Sequence, residues 1–141
     1  MPLTRFKEWA AYLDTFIHAL SKTPFAYATN DCCLFTADAI KEITGTDIAA
    51  SFRDTYTDEA SANAVITANG GTVATLVASL ATQFSMASVP PLTAQSGDLV
   101  ALNGGAGIAL GIVGCDGSVY GVGTDGLQRV ALTTVVQAWR V

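Results

Sequence analysis

Asn30-Asp31-Cys32-Cys33-Leu34-Phe35 carries the marks of a helix start with two thiols in its first turn. An Asn or Asp just ahead of an apolar-periodic run offers its side-chain oxygen to the free N–H groups of that turn. Asn30 or Asp31 is therefore read as the cap of a helix over about 31–44, which Gly45 ends. Cys32 and Cys33 then lie beside backbone N–H groups with no partner inside the helix. Their partial positive charge stabilises a thiolate and lowers a thiol pKa, so the position suits a cysteine nucleophile. The same pair also fits an inert role, because free cysteine is among the most buried residue types.

Upstream, Phe6, Trp9, Ala10, Leu13, Phe16, Ile17 and Leu20 recur at steps of three and four, which predicts an amphipathic helix over 3–20. Lys7, Asp14 and His18 fall on its far face. A loop over 21–30 holds Pro24, Phe25 and Tyr27. Downstream, an irregular connection over 46–57 carries Phe52, Arg53 and Tyr56. A third helix over 58–68 opens on Asp58 and Glu59, where the helix dipole favours acids, and stops at Asn69-Gly70-Gly71. A fourth covers 72–84.

Pro90-Pro91 marks a change to strand patterning, with strands expected over 98–102, 108–115, 118–122 and 127–132. Asp116-Gly117 reads as a two-residue type I′ hairpin turn, and Asp125-Gly126 repeats the signal. Asn103-Gly104-Gly105 reads as a longer loop, and the segment 133–141 is expected to pack Trp139 back on the core. Helices first and an antiparallel meander after them make an α+β fold, read as one domain over 1–141.

The chain has 141 residues, half of them apolar, and a formal net charge of −5. An acidic chain with scattered cations excludes phosphate-backbone binding, so no nucleic-acid partner is expected. Residues 60–97 carry no charge, but Asn63, Asn69-Gly70-Gly71, Gln83 and Pro90-Pro91 interrupt them. No run of about 18 apolar residues exists, so no membrane insertion is expected and these helices are read as buried. No apolar run follows Met1-Pro2-Leu3-Thr4-Arg5-Phe6-Lys7, so no signal peptide is expected. The three cysteines are odd in number, two are adjacent, and none has zinc spacing, which points to free thiols made in a reducing compartment. No cofactor or metal is expected. Asp47, Asp54, Asp58 and Glu59 lack calcium-loop spacing and read as a solvated acidic turn. Gly104-Gly105-Ala106-Gly107 opens no helix and reads as a hairpin tip.

Four short motifs carry a resemblance. Phe25-Ala26-Tyr27 precedes Asp31-Cys32, and Gly97-Asp98-Leu99-Val100 precedes Ala109-Leu110-Gly111-Ile112-Val113. In order and spacing this resembles the NlpC-type, papain-like cell-wall cysteine peptidases, which place an aromatic loop before Asp-Cys, then Gly-Asp-Leu-Val, then His-Val-Gly-Ile. The match runs over about 24–122. The resemblance implies a papain-like domain, Cys32 as vestigial nucleophile, and a former cleft formed by Asp31, Tyr27 and Ala109. Along its whole length the chain also resembles an uncharacterised family of tailed phages and prophages. That likeness rests on Gly45-Thr46-Asp47, on Phe52, Arg53 and Tyr56, on Gly70-Gly71, on Gly126-Leu127 and on Ala138-Trp139-Arg140.

The departure from the peptidases is at position 109, where the resemblance puts the general base and the chain has alanine. The one histidine, His18, reads as a surface partner of Asp14. Two functions stand side by side. One is a structural or binding subunit of a phage tail tip or its assembly, a relative of the peptidases that has lost activity. It would be made in the host cytoplasm, reside in the virion, and have other tail-tip proteins as partners and peptidoglycan as a further ligand. The other is an active peptidoglycan peptidase or amidase with Cys32 as nucleophile and a base from elsewhere. Low charge favours the first, since a subunit covered by partners need not be hydrophilic all round.

Overall fold

The structure, a computed structural model, describes residues 2–104 and 107–141. Four helices, α1 (Trp9–Ala19), α2 (Cys32–Thr44), α3 (Glu59–Ala68) and α4 (Val73–Gln83), precede a six-stranded antiparallel sheet. Its strands are β1 (Ala87–Val89), β2 (Leu99–Gly104), β3 (Gly107–Val113), β4 (Val119–Gly123), β5 (Gly126–Val130) and β6 (Val135–Arg140). The fold is α+β, as the pattern predicts.

Helix α2 forms where its capping predicts. Asp31 Oδ1 accepts from Leu34 N–H, and Gly45 closes the far end. The helix buries Leu34, Phe35, Ala37, Ala39, Ile40 and Ile43, and Phe35 stacks on Phe16 of α1 at 5.5 Å. Helices α3 and α4 each begin with a capping box, Asp58 with Ser61 and Thr72 with Thr75.

Helix α1 is shorter than the predicted 3–20. Tertiary contacts override its periodicity. Phe6 N–H donates to the Ile43 carbonyl at 2.8 Å, and Arg5 reaches across to Asp98. Phe6 is 45% exposed, and Ala10 is exposed too, while Leu13 and Ile17 fill the core as expected.

The strand order is β1-β6-β2-β3-β4-β5. Strands β2 to β5 form the expected meander. The last segment then returns as β6 on the free edge of β2, and β1 pairs outside it. Sequence periodicity missed β1, which has only three residues, and β6, whose alternation is broken by a bulge opposite Ala101 and Leu102. The bulge turns Val136 out to 41% exposure.

Two turns differ from expectation. Gly117 alone has positive φ, and Asp116 instead accepts from Ser118 N–H at 3.0 Å, so the turn is not type I′. Gly123 pairs with Gly126, so the second tight turn centres on Thr124 and Asp125. Asn103 and Gly104 belong to β2, and Gly104 pairs with Gly107. The expected loop and hairpin tip include Gly105 and Ala106, which lie outside the described residues.

Both faces of the sheet are buried. Leu99, Ala101, Leu110, Ile112 and Trp139 join the helices in one cluster, and Val100, Leu102, Val113, Val119 and Ala138 form a second. Alternate side chains of β2 thus serve opposite faces. The reading of residues 60–97 as buried helices holds for α4, which buries Leu76, Val77, Leu80 and Ala81. It fails for α3, none of whose residues is buried. Among the described residues no single helix is long and apolar enough to cross a membrane.

Asp98 is fully buried and gathers four donors. Arg5 reaches it at 3.2 Å, Arg140 at 2.8 Å, and the backbone N–H groups of Gln95 and Val141 at 2.9 and 3.3 Å. Gly97 before it has φ +86, and a Cβ there would sit 2.8 Å from the Arg5 guanidinium. A residue without a side chain is required there. Asp98→Ala leaves two cations and two N–H groups without their acceptor. The expected loss is about 3 kcal/mol in urea-unfolding free energy, at the lower end for a broken buried pair because Arg140 can turn to water.

Candidate functional site

Three segments meet at the start of α2. Asn30 Nδ2 donates to the Pro24 carbonyl at 2.9 Å, and Ala26 and Asn30 exchange backbone bonds of 3.1 and 2.8 Å. The tight loop so formed holds Ala28 at φ 69, a conformation that costs a non-glycine residue energy and persists only where its surroundings enforce it. Ala28 N–H donates to Asp31 Oδ2 at 3.0 Å, Leu34 N–H donates to Oδ1 at 2.9 Å, and the Tyr56 hydroxyl donates to Oδ2 at 2.5 Å. Asp31 is 5% exposed and its lone pairs are committed to this scaffold. Burial, then the bond to Asp31, pushes the Tyr56 phenol well above its usual range.

Cys32 is the first residue of α2, and both adjacent thiols are partly exposed. Their sulfurs lie 3.9 Å apart. The Cys33 thiol is the largest influence that pulls the Cys32 thiol down to about 7. Burial opposes the shift, and the Leu110 and Cys33 N–H groups support it. The same sulfur contact, then burial, pushes the Cys33 thiol far up. Of the pair, Cys32 is the thiol that ionises more readily.

Leu110 lies on β3, so the Cys32 sulfur faces the strand that contains Ala109. Ala109 itself packs on the second apolar cluster, with Val100 and Leu102, while Leu110 and Ile112 face the helices. The strand meets the sulfur through the Leu110 backbone. Sequence reading could not find that contact, because an N–H group carries no side-chain signal. It also gave Tyr56 no role at the site, because a tyrosine 25 positions from Asp31 carries no local sign of that contact.

Cys32, Asp31, Tyr27 and Ala109 all line one cleft of about 810 Å3, between α2, α3, α4 and the sheet. Its volume is typical of small-molecule sites. Phe25 and Tyr27 meet edge to face at 4.9 Å on its wall. No lysine, arginine or histidine is among the described lining residues. His18 lies in a separate hollow with Asp14, Cys115 and Tyr120, and its Nδ1 is 2.8 Å from the Asp14 carbonyl.

Among the described residues no three potential ligands cluster to hold a metal ion. The expected solvated acidic turn is partly structural instead. Arg53 Nε binds Asp47 at 2.6 Å and its Nη2 binds Asp38, while Asp58 caps α3. Long side chains and a basic partner six positions away draw Asp47 out of solvent.

A family model described as a domain of unknown function, DUF6950, matches residues 4–141. The chain belongs to this family. No curated protein matches the sequence. The DUF6950 family thus supplies a boundary that takes in every helix and strand described above, while the chemistry has to come from the site.

The ionisation of Cys32 fixes a measurable profile. A thiol held near 7 is mostly thiolate at pH 8, whereas one at its ordinary value of 9.0 is not. Iodoacetamide labelling of Cys32, followed by peptide mass spectrometry, is expected to rise with pH through a midpoint near that value. Cys33 and Cys115, both shifted upward, are expected to respond at higher pH. A Cys33→Ala variant should move the Cys32 midpoint up.

Proposed function

We propose that this DUF6950 chain is a papain-like, NlpC-type domain without a catalytic base. It acts as a structural or binding subunit at the tail tip of a tailed phage or in its assembly. The observation that carries the reading is the arrangement around Cys32. A cysteine on the first turn of α2 faces β3 in a ligand-sized cleft, and the chain's one histidine lies in a different hollow. Hydrolysis of an amide needs an imidazole or its equivalent to protonate the leaving amine, and loss of general acid–base help alone costs about 10²–10⁴ in rate. The tail location follows from the resemblance to phage and prophage proteins. Helix α3, which buries none of its residues and carries no charge after Glu59, supports it as a surface that other chains can cover.

A second reading, an active peptidoglycan peptidase, is favoured by one observation, the lowered Cys32 thiol. It requires an imidazole from another chain. Two measurements separate the readings. Purified protein incubated with peptidoglycan fragments is expected to release no more product than Cys32→Ala, and clear Cys32-dependent release would establish the peptidase. Mass spectrometry of purified particles is expected to find the chain in the virion. Its absence there, together with normal tail assembly without its gene, would remove the structural role.

A further inference from the structure

A thiolate without a base is still competent in one kind of acyl transfer. When the leaving group is an amine, it must gain a proton to depart. When it is a thiol, it departs as the anion, and the attacking Cys32 needs no base, since a thiol lowered to about 7 is mostly thiolate at pH 8. Exchange between Cys32 and a thioester is therefore open to this site, whereas amide cleavage is closed. The walls of the cleft say which thioesters fit. Phe52, Val65, Leu76 and Leu80 line it from the 46–57 connection, α3 and α4. Its ionisable side chains apart from the cysteines and tyrosines are Asp31, Glu59 and Asp125, all acids. An anionic head group is repelled from such a space, and an uncharged aliphatic chain gains by leaving water. Helix α3 borders the cavity through Ala62, Val65 and Ile66 yet has no buried residue, so moving it to admit a chain disturbs little packing.

We propose that Cys32 is an S-acylation site that takes a long-chain acyl group from a thioester donor, with the chain lying in the apolar cavity beside it. In the step, the Cys32 sulfur attacks the carbonyl carbon of R–CO–S–R′. The new Cys32 S–C bond forms, the old C–S bond breaks, and R′–S⁻ leaves with the electron pair. No proton is transferred and nothing is oxidised or reduced. Hydrolysis of the product would need a base to activate water, and the described lining of the cleft offers no imidazole, so the adduct persists. The inference goes beyond the tail-tip reading and rests on the cleft alone.

The test uses two uncharged donors, the decanoyl and acetyl thioesters of N-acetylcysteamine, with the exposed Cys115 as internal reference. Intact-mass and peptide mass spectrometry should show one hydroxylamine-labile decanoyl group on Cys32. Relative to Cys115, decanoyl transfer to Cys32 should exceed acetyl transfer by at least about tenfold, which burial of two methylenes would supply. Cys32→Ser should abolish the adduct. Ala62→Trp, which puts bulk into the cavity from α3, should slow decanoyl but not acetyl transfer. Equal rates for the two donors would overturn the cavity's role even if Cys32 reacts, and so would an undiminished decanoyl rate in a folded Ala62→Trp protein. No adduct on Cys32, or labelling of Cys115 alone, would overturn the site. None of these outcomes bears on presence in the virion or on peptidoglycan cleavage, so the two readings fail separately.

Discussion

Asp31 sits where three segments of chain converge, and its carboxylate is what fastens them. It accepts from Ala28 in the preceding loop, from Leu34 in the helix it caps, and from Tyr56 in the connection 25 residues on. A buried carboxylate with donors on both oxygens is strongly held, because each lost donor would leave charge uncompensated in a medium of low dielectric. Everything about the site inherits its geometry from this anchor. The first turn of α2 is aimed by the cap, the Phe25–Tyr27 wall is set by the loop, and the rear of the cleft is closed by Tyr56.

The two thiols show how neighbours of identical type diverge. They are adjacent in sequence and their sulfurs lie 3.9 Å apart, so charge on one opposes charge on the other. The Cys32 thiol is lowered and the Cys33 thiol raised. The Leu110 N–H breaks the tie in favour of Cys32. The close approach of β3 to β4 fixes where that N–H points, because a Cβ at Gly111 would come within 2.8 Å of the Tyr120 carbonyl. A glycine one position beyond Leu110 thus keeps a backbone donor in register with a sulfur on another element.

Much of the fold was legible because it is written in local signals. Capping at Asp31, the glycine stops after α2 and α3, and turn residues between the meander strands each act within a few positions. The errors came where distant contacts decide. The first turns of the predicted N-terminal helix unravel because Arg5 is claimed by Asp98, 93 positions away. Strand β6 reads as an irregular tail because its bulge breaks the alternation. At the site, Cys32 was legible from its place after a cap, and Asp31 from its side chain. Tyr56 and the Leu110 N–H were not, since one acts across 25 positions and the other has no side-chain identity.

Helix α3 divides the molecule into two tiers of stability. Its ten residues bury none of their side chains, and the segment is bounded by Asp54 at φ 62 and by Gly70 and Gly71 at φ 122 and 92. Local opening free energy tracks buried apolar contact, so this helix exchanges its amide hydrogens at far lower cost than α2 or the central strands. The tight tier, made of α2 and the sheet, fixes the thiol in space. The loose tier borders the cleft through Ala62, Val65 and Ile66, which ties access to the interior to the local opening of ten residues rather than to the stability of the whole chain.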